Sequence, residues 1–162
     1  MATLSGKFTK EDLKKLYDED YPLWVETNLQ LLKDKAYELV DWDNLLMEIE
    51  DMGLRHLEAC ISYLAVILEH LYKLDNFKHL AGGDKAGDSW IRSIENSKDE
   101  IVFLFKRHPS LKVKLIEYFD TAWDKAKVRL RRWLRNNGYN PDDFNISEKC
   151  PYTYEEALSK KL

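Results

Sequence analysis

One apolar stripe constrains this chain more than any other feature of its sequence. Between positions 42 and 74, apolar or small residues recur at intervals of three and four: Leu46, Ile49, Gly53, Leu57, Cys60, Leu64, Ile67, Leu71 and Leu74. This spacing predicts one helix of about 33 residues, roughly 50 Å long at 1.5 Å per residue. Because such a helix cannot cover its own stripe, it must pack on other helices or on a second copy of itself.

The other periodic segments also predict helices, and no segment alternates as a strand does. Together they make an all-α chain with short terminal helices. The predicted helices run from about residues 10 to 17, 20 to 35, 42 to 74, 88 to 107 and 110 to 137, and a short terminal helix begins at the capping box of Thr153 and Glu156. Their starts carry capping residues, such as Thr9 with Asp12 and Asp20 before Pro22. Short connections between the four main helices favour an antiparallel up-down four-helix bundle.

Size and charge fit a single domain over residues 1–162. The net charge of −4 is divided unevenly, since residues 1–81 hold 9 basic and 16 acidic side chains and residues 82–162 hold 16 and 13. Opposite charges on the two halves of a bundle attract each other. This explanation needs no ligand and is the simplest one for the asymmetry.

The compartment predicted from the sequence is the cytoplasm. The first ten residues contain no apolar segment long enough for a signal peptide, and no window is long and apolar enough to span a membrane. Cys60 falls on the apolar stripe and Cys150 in the tail, which favours two reduced thiols over a disulfide.

Familiar catalytic and cofactor motifs are absent. The sequence contains no HExxH, CxxC, GxxxxGK[ST], GxGxxG or GxSxG pattern, and no Glu-x-x-His pair of the di-iron bundles. His56 and Cys60, one helical turn apart, offer two zinc ligands, but both lie on the apolar stripe and are expected to pack in the core. We therefore expect no metal and no cofactor.

A basic ridge lies on the last long helix, opposite its apolar side, and consists of Lys125, Lys127, Arg129, Arg131, Arg132 and Arg135. Such a ridge is either a solvated surface or a contact for nucleic-acid phosphates. In a net-negative protein the solvated surface is the preferred interpretation. Weak, sequence-independent nucleic-acid binding is kept as an alternative.

Several segments, taken in order, resemble the bacterial domain of unknown function family 29. They are Tyr17-Asp-Glu-Asp-Tyr-Pro-Leu-Trp24, Asp43-Asn-Leu-Leu-Met-Glu-Ile-Glu-Asp-Met-Gly53, Leu68-Glu-His-Leu-Tyr-Lys73, Ser89-Trp-Ile-Arg-Ser-Ile94 and Cys150-Pro-Tyr152. The resemblance covers about residues 13–158. It implies an all-α fold and no established activity. Met47 replaces one acid of the family's usual Glu-Glu-Ile/Leu-Glu run.

In an up-down bundle, one end gathers the residues best suited to form a site. The candidate catalytic residues are Asp20, His70 and His79, and the candidate binding residues are Trp24, Lys73, Trp90, Arg131, Arg132 and Arg135. His70 beside Asp20 would titrate near neutrality with its tautomer fixed by the carboxylate. The alternative is a capped bundle end in which Trp24 and Trp90 fill the core and Asp20 pairs with Lys73 or His70.

The sequence favours a non-enzymatic protein-interaction module that works as a homo-oligomer, because the long helix outruns its predicted neighbours and leaves apolar surface uncovered. A metal-dependent or metal-free hydrolase at the Asp20, His70 and Trp90 bundle end is the alternative of a different class. Self-association, and contact with another protein, are the expected partnerships; neither a membrane nor nucleic acid is expected.

Overall fold

A computed structural model describes residues 8–83 and 85–159, and all regular structure within them is helical. The helices are α1 (Lys10–Glu19), α2 (Tyr21–Lys33), α3 (Trp42–Asn76), α4 (Lys78–Ala81), α5 (Asp88–Arg107), α6 (Ser110–Glu117), α7 (Phe119–Asn136) and α8 (Tyr154–Ser159). In the described part of the chain, none of these helices has the length and apolarity needed to cross a membrane. The expectation about a signal peptide rests largely on residues 1–7, which lie outside the described residues.

Local capping signals place the starts of three helices. The Thr9 side chain accepts from the Asp12 amide, and the Asp12 carboxylate accepts from the Thr9 amide, which completes the predicted capping box of α1. The Asp20 carboxylate accepts from the Leu23 amide at 3.2 Å and so caps α2. At α8 the Thr153 hydroxyl accepts from the amide of Glu156.

The long helix is confirmed, whereas the last predicted long helix is divided. α3 is continuous over 35 residues. The helix predicted from Ser110 to Asn137 instead breaks at Tyr118, whose backbone lies at φ −104° and ψ 14°. The Tyr118 amide donates to the Leu115 carbonyl three residues earlier, a tight turn of the kind that ends a helix. α7 then restarts with Asp120 in its first turn, where a carboxylate is favourable.

The chain divides into two compact units, Met1–Leu54 and Arg55–Leu162, with the division inside α3. Each unit has its own buried cluster. The single domain and the up-down four-helix arrangement are finer statements than the all-α fold, and they stay predictions.

In the first unit, Trp24 organises the core with Leu13, Leu31 and Val40. Its indole N–H donates to the Asp41 carboxylate at 2.9 Å, and this contact ties α2 to the residue that precedes α3. Asn28 supports the same junction because its side-chain oxygen accepts from the Asp41 amide at 3.0 Å.

In the second unit, the core is built from α3 after Leu57 together with α5, α6 and α7. The segment that leads to α8 is fastened to this core. The Trp123 indole N–H donates to the carbonyls of Ser147 and Glu148, and the Tyr152 hydroxyl donates to Asp75 at 2.5 Å. The candidate binding residues on α3, α5 and α7 are therefore positioned by one packed core.

Candidate functional site

The apolar stripe of α3 is buried in its second half and exposed in its first. The stripe residues from Leu57 to Leu71 are buried, whereas Leu46 and Ile49 leave 59 % and 52 % of their surface exposed. Trp42 and Met52 are exposed beside them. We call Trp42, Leu46, Ile49, Met52 and Gly53 the apolar face. Large exposed apolar patches mark interaction surfaces more often than chance, so this face is a candidate docking site.

Gly53 leaves a gap in the apolar face. A glycine on an apolar stripe permits another helix to approach closely, because it has no side chain. A Cβ placed on Gly53 would meet nothing within 4 Å, so among the described residues no helix fills the gap. The close approach that the glycine permits is thus available to a helix of another chain.

The exposed apolar surface coincides with the acidic part of the molecule. Of the described large apolar side chains that are exposed, thirteen of nineteen belong to the first unit, which is one third of the chain. Residues 1–54 hold six basic and thirteen acidic side chains, a net charge of −7. The stretch from residue 41 to residue 54 contains five acids and no base, listed as Asp41, Asp43, Glu48, Glu50 and Asp51.

Two tyrosines hold one of these acids in place. The hydroxyls of Tyr17 and Tyr21 donate to the Glu48 carboxylate at 2.5 and 2.7 Å. The hydrogen bond to Glu48 raises the pKa of Tyr17 to about 12. Glu48 is therefore committed to the packing of α1 and α2 against α3, which leaves Glu50 and Asp51 as the acids available to a partner.

The second unit contains a buried ion pair between two aromatic rings. Lys73, only 4 % exposed, donates from Nζ to the Glu69 Oε1 atom at 2.8 Å. The same ammonium lies 5.1 Å from the Trp133 ring centroid and 5.6 Å from that of Trp90. Cation–π attraction and the ion pair together compensate the burial of this lysine. The structure thereby brings together Lys73 and Trp90, two of the predicted binding residues.

His70 lies next to this pair. Its Nδ1 atom is 2.7 Å from the Val66 carbonyl and 3.9 Å from Glu69 Oε2. Burial lowers the pKa of His70 below its ordinary value of 6.5, an effect that the neighbouring Glu69 carboxylate only partly offsets. His70 is therefore neutral at pH 7 and donates from Nδ1 to the Val66 carbonyl.

This lowered pKa predicts a pH-dependent stability. Since the unfolded chain binds a proton at His70 more readily than the folded one, stability is present above about pH 6.5 and is lost as pH falls through the folded pKa. His70→Gln should remove part of the loss that the wild type shows between about pH 7 and about pH 5. The urea midpoints of the wild type and of His70→Gln at both pH values measure this loss of stability, and His79→Gln is the control because His79 is exposed. Equal pH dependence in both variants would contradict the assignment.

The other predicted catalytic and binding residues lie in different surroundings. Asp20 caps α2 and Trp24 is buried in the core, both within the first unit. His79 is exposed on the short helix α4 of the second unit. The joint role predicted for Asp20, His70 and His79 stays a prediction. Among the described residues, no cluster of three or more metal-ligating side chains is found.

The basic ridge is partly neutralised by neighbouring acids. Lys127 pairs with Asp124 at 3.1 Å and with Glu148 at 3.4 Å. Arg131 pairs with Asp142 at 3.0 Å. Arg132 and Arg135 are exposed, and the described residues provide no acidic partner for either. The ridge thus offers fewer free charges to phosphates than its sequence suggests.

Sequence reasoning missed Glu69 and Trp133 and misplaced His56. Glu69 and Lys73 form an i, i+4 ion pair on α3, and their spacing in the sequence is the signal that indicates it. Trp133 lies on the apolar side of α7 but is only half-buried. His56 was expected beside buried Cys60, yet it is exposed and its ring stacks on that of His108 at 4.2 Å.

Comparison with known protein families gives a match over most of the chain. The family described as "Domain of unknown function DUF29" matches residues 16–162. Searches of curated proteins and of solved structures found no significant match. The match covers nearly the whole chain and includes both candidate surfaces, the apolar face and the surroundings of Lys73.

Proposed function

We propose that this chain, which belongs to the DUF29 family, is a protein-interaction module that works as a homo-oligomer through the apolar face of α3. The observation that carries the proposal is the change of burial along one stripe. The same helical side that is buried after Leu57 is exposed at Leu46 and Ile49. Burying those side chains against a partner removes apolar surface from water, which stabilises the complex by about 25 cal/mol for each Å² buried.

The apolar face has the complementarity that pairing with a second copy requires. In a two-fold symmetric contact, residue i of one copy meets residue j of the other, and j meets i. If two α3 helices pack antiparallel, Leu46 of each copy faces the gap at Gly53 of the other. Leu46 and Gly53 lie seven residues, or about 10 Å, apart on one side of the helix, so both contacts form together.

Charge sets the conditions under which this pairing forms. Five acids lie between residues 41 and 54, and Glu50 of each copy lies near the symmetry axis in this register. Repulsion between the copies opposes association, and dissolved salt screens it. Apolar contact is also strengthened by excluded salts such as sulfate. We therefore infer an association that tightens as salt is added.

We also propose that the protein works in the cytoplasm, because two free thiols are typical of a reducing compartment. Cys60 and Cys150 are both free. Burial raises the pKa of both thiols, to about 11 for Cys150, so they are protonated at neutral pH. Neither is a nucleophile of the kind that depends on a lowered pKa.

The alternatives predicted from the sequence have weaker support. A hydrolase needs His70 to act with Asp20, and the Asp20 carboxylate already caps α2. Nucleic-acid binding needs the basic ridge, where Lys127 and Arg131 already pair with acids. Both alternatives stay predictions, and neither has an observation in its favour that equals the exposed stripe.

Cross-linking tests the proposal and its register together. Glu50→Cys places a thiol near the symmetry axis, so a short bismaleimide should join two copies at micromolar concentration. Val102→Cys is the matched control, because Val102 is also exposed, at 51 %, but lies on α5. The wild-type protein, treated with the same reagent, shows how much cross-linking Cys60 and Cys150 cause by themselves. Equal cross-linking of both variants, or none of Glu50→Cys at high micromolar concentration, would overturn the proposal.

A further inference from the structure

A cavity on the side of α7 presents an unusual set of polar groups. It has a volume of about 430 Å³ and is lined by Glu69, Arg129, Arg132, Trp133 and Asn136. That volume lies within the range of small-molecule sites, roughly 300 to 1,000 Å³. Two guanidinium groups, a carboxylate, an indole and a carboxamide are thus open to one ligand-sized space, in a part of the molecule that the proposed self-association does not use.

The carboxylate at the cavity has one oxygen with no donor. Glu69 Oε1 accepts from Lys73, whereas Oε2 lies 3.8 Å from Arg129 Nη1 and 3.9 Å from His70 Nδ1. Both distances exceed a hydrogen bond, and the His70 Nδ1 proton is used by Val66. The Glu69 side chain is only 9 % exposed. Among the described residues no donor reaches Glu69 Oε2, and because Glu69 lines the cavity this acceptor is open to water or to a ligand there.

The positive groups of the cavity are also available. Unlike Lys127 and Arg131, Arg132 has no acidic partner among the described residues, and Arg129 approaches Glu69 only at 3.8 Å. Because Lys73 neutralises Glu69, the two guanidinium groups leave the site with an excess of two positive charges. Guanidinium groups bind carboxylates and phosphates through paired, charge-assisted hydrogen bonds. Trp133, held against the Lys73 ammonium, gives the cavity a flat apolar wall.

We propose that this cavity binds a small organic anion that carries a carboxylate or phosphate together with a hydroxyl or amino group. The anionic group binds Arg129 and Arg132, the hydroxyl or amine donates to Glu69 Oε2, and the carbon skeleton packs on Trp133. Both arginines and Glu69 Oε2 then have partners of the required type. A simple inorganic anion satisfies the arginines only and leaves Glu69 Oε2 without a donor, so it binds more weakly.

Titration calorimetry tests this with three probes. Glycerol 3-phosphate and glycerate carry hydroxyls with a phosphate and a carboxylate respectively, and inorganic phosphate carries no carbon skeleton. At least one hydroxylated probe should bind, about tenfold or more tighter than inorganic phosphate, since a hydrogen bond to a charged group contributes about 1.5 kcal/mol or more. The tighter of the two identifies the anionic group. No heat with either would overturn the proposal.

Two variants distinguish specific binding in the cavity from a general attraction of anions to the basic ridge. Arg132→Gln should weaken the tighter probe about tenfold or more, because one charge-assisted contact is lost. Arg131→Gln is the matched control, since Arg131 is the next residue on α7 but pairs with Asp142 and does not line the cavity. Equal weakening by both variants would overturn the proposal, as it would show an unspecific response to positive charge.

Discussion

Replacing Ile49 with Glu is expected to weaken self-association at least about 100-fold, which corresponds to about 2.7 kcal/mol. The reason is that a carboxylate would enter the centre of an apolar contact, beside the acids of the other copy, without a cation to compensate it. Ile49 is 52 % exposed in the single chain, so the change should alter the free energy of unfolding by only about 0.5 kcal/mol. Sedimentation equilibrium measures the association and urea unfolding the stability.

Met47→Glu is the matched control for this change. Met47 is 51 % exposed, is similar to Ile49 in volume and belongs to the same helix. Because it precedes Ile49 by two residues, it lies on the opposite side of α3. It should leave the association within about threefold of the wild type. If both variants dissociate equally, net charge and not the apolar face controls assembly, and the assigned surface is wrong.

Replacing Lys73 with Ala is expected to cost about 3 to 5 kcal/mol of folding free energy, because it leaves the Glu69 carboxylate buried without its ion-pair partner. The aromatic rings of Trp90 and Trp133 would also lose the cation that they hold. Denaturant unfolding measures the loss. Lys125→Ala is the control, since Lys125 is exposed on α7 and should change stability by less than about 0.5 kcal/mol.

A double variant separates the lost ion pair from the lost packing. Glu69→Gln combined with Lys73→Met removes both charges and keeps most of the side-chain volume, so it should recover much of the stability that Lys73→Ala loses. A Lys73→Ala variant as stable as the Lys125→Ala control would contradict the account of this pair. It would show that Glu69 is accommodated by solvent or by Arg129 alone.

The helices could be predicted because their signals are local. Thr9 with Asp12 and Asp20 before Pro22 cap helices as expected, and the three-four spacing after Trp42 specifies α3. Thr153 with Glu156 is a local signal of the same kind. The break at Tyr118 could not be predicted in the same way. The apolar positions of α6 and α7 continue through it, and a helix end within a continuous apolar pattern is decided by packing.

The candidate surfaces depend on contacts between distant residues, which spacing alone does not specify. The stripe of α3 has the same pattern on both sides of Gly53, so the sequence shows neither which half is covered nor where the exposure begins. The sequence predicts Asp20 as a partner for Lys73, whereas in the structure Lys73 pairs with Glu69 of its own helix. Trp133 lies at a core position of its helix but is half-buried beside a cavity. Its burial depends on how the neighbouring helices pack, which its position in the sequence does not show.

The most direct test of the central claim is the mass of the wild-type protein by sedimentation equilibrium at high micromolar concentration, measured in low and in high salt. Pairing of two acidic apolar faces predicts a mass approaching twice 19.2 kDa, with a larger dimer fraction in high salt because repulsion is screened. A monomer under both conditions would contradict the account. So would a dimer that dissociates as salt is added, since that behaviour requires opposite charges at the contact.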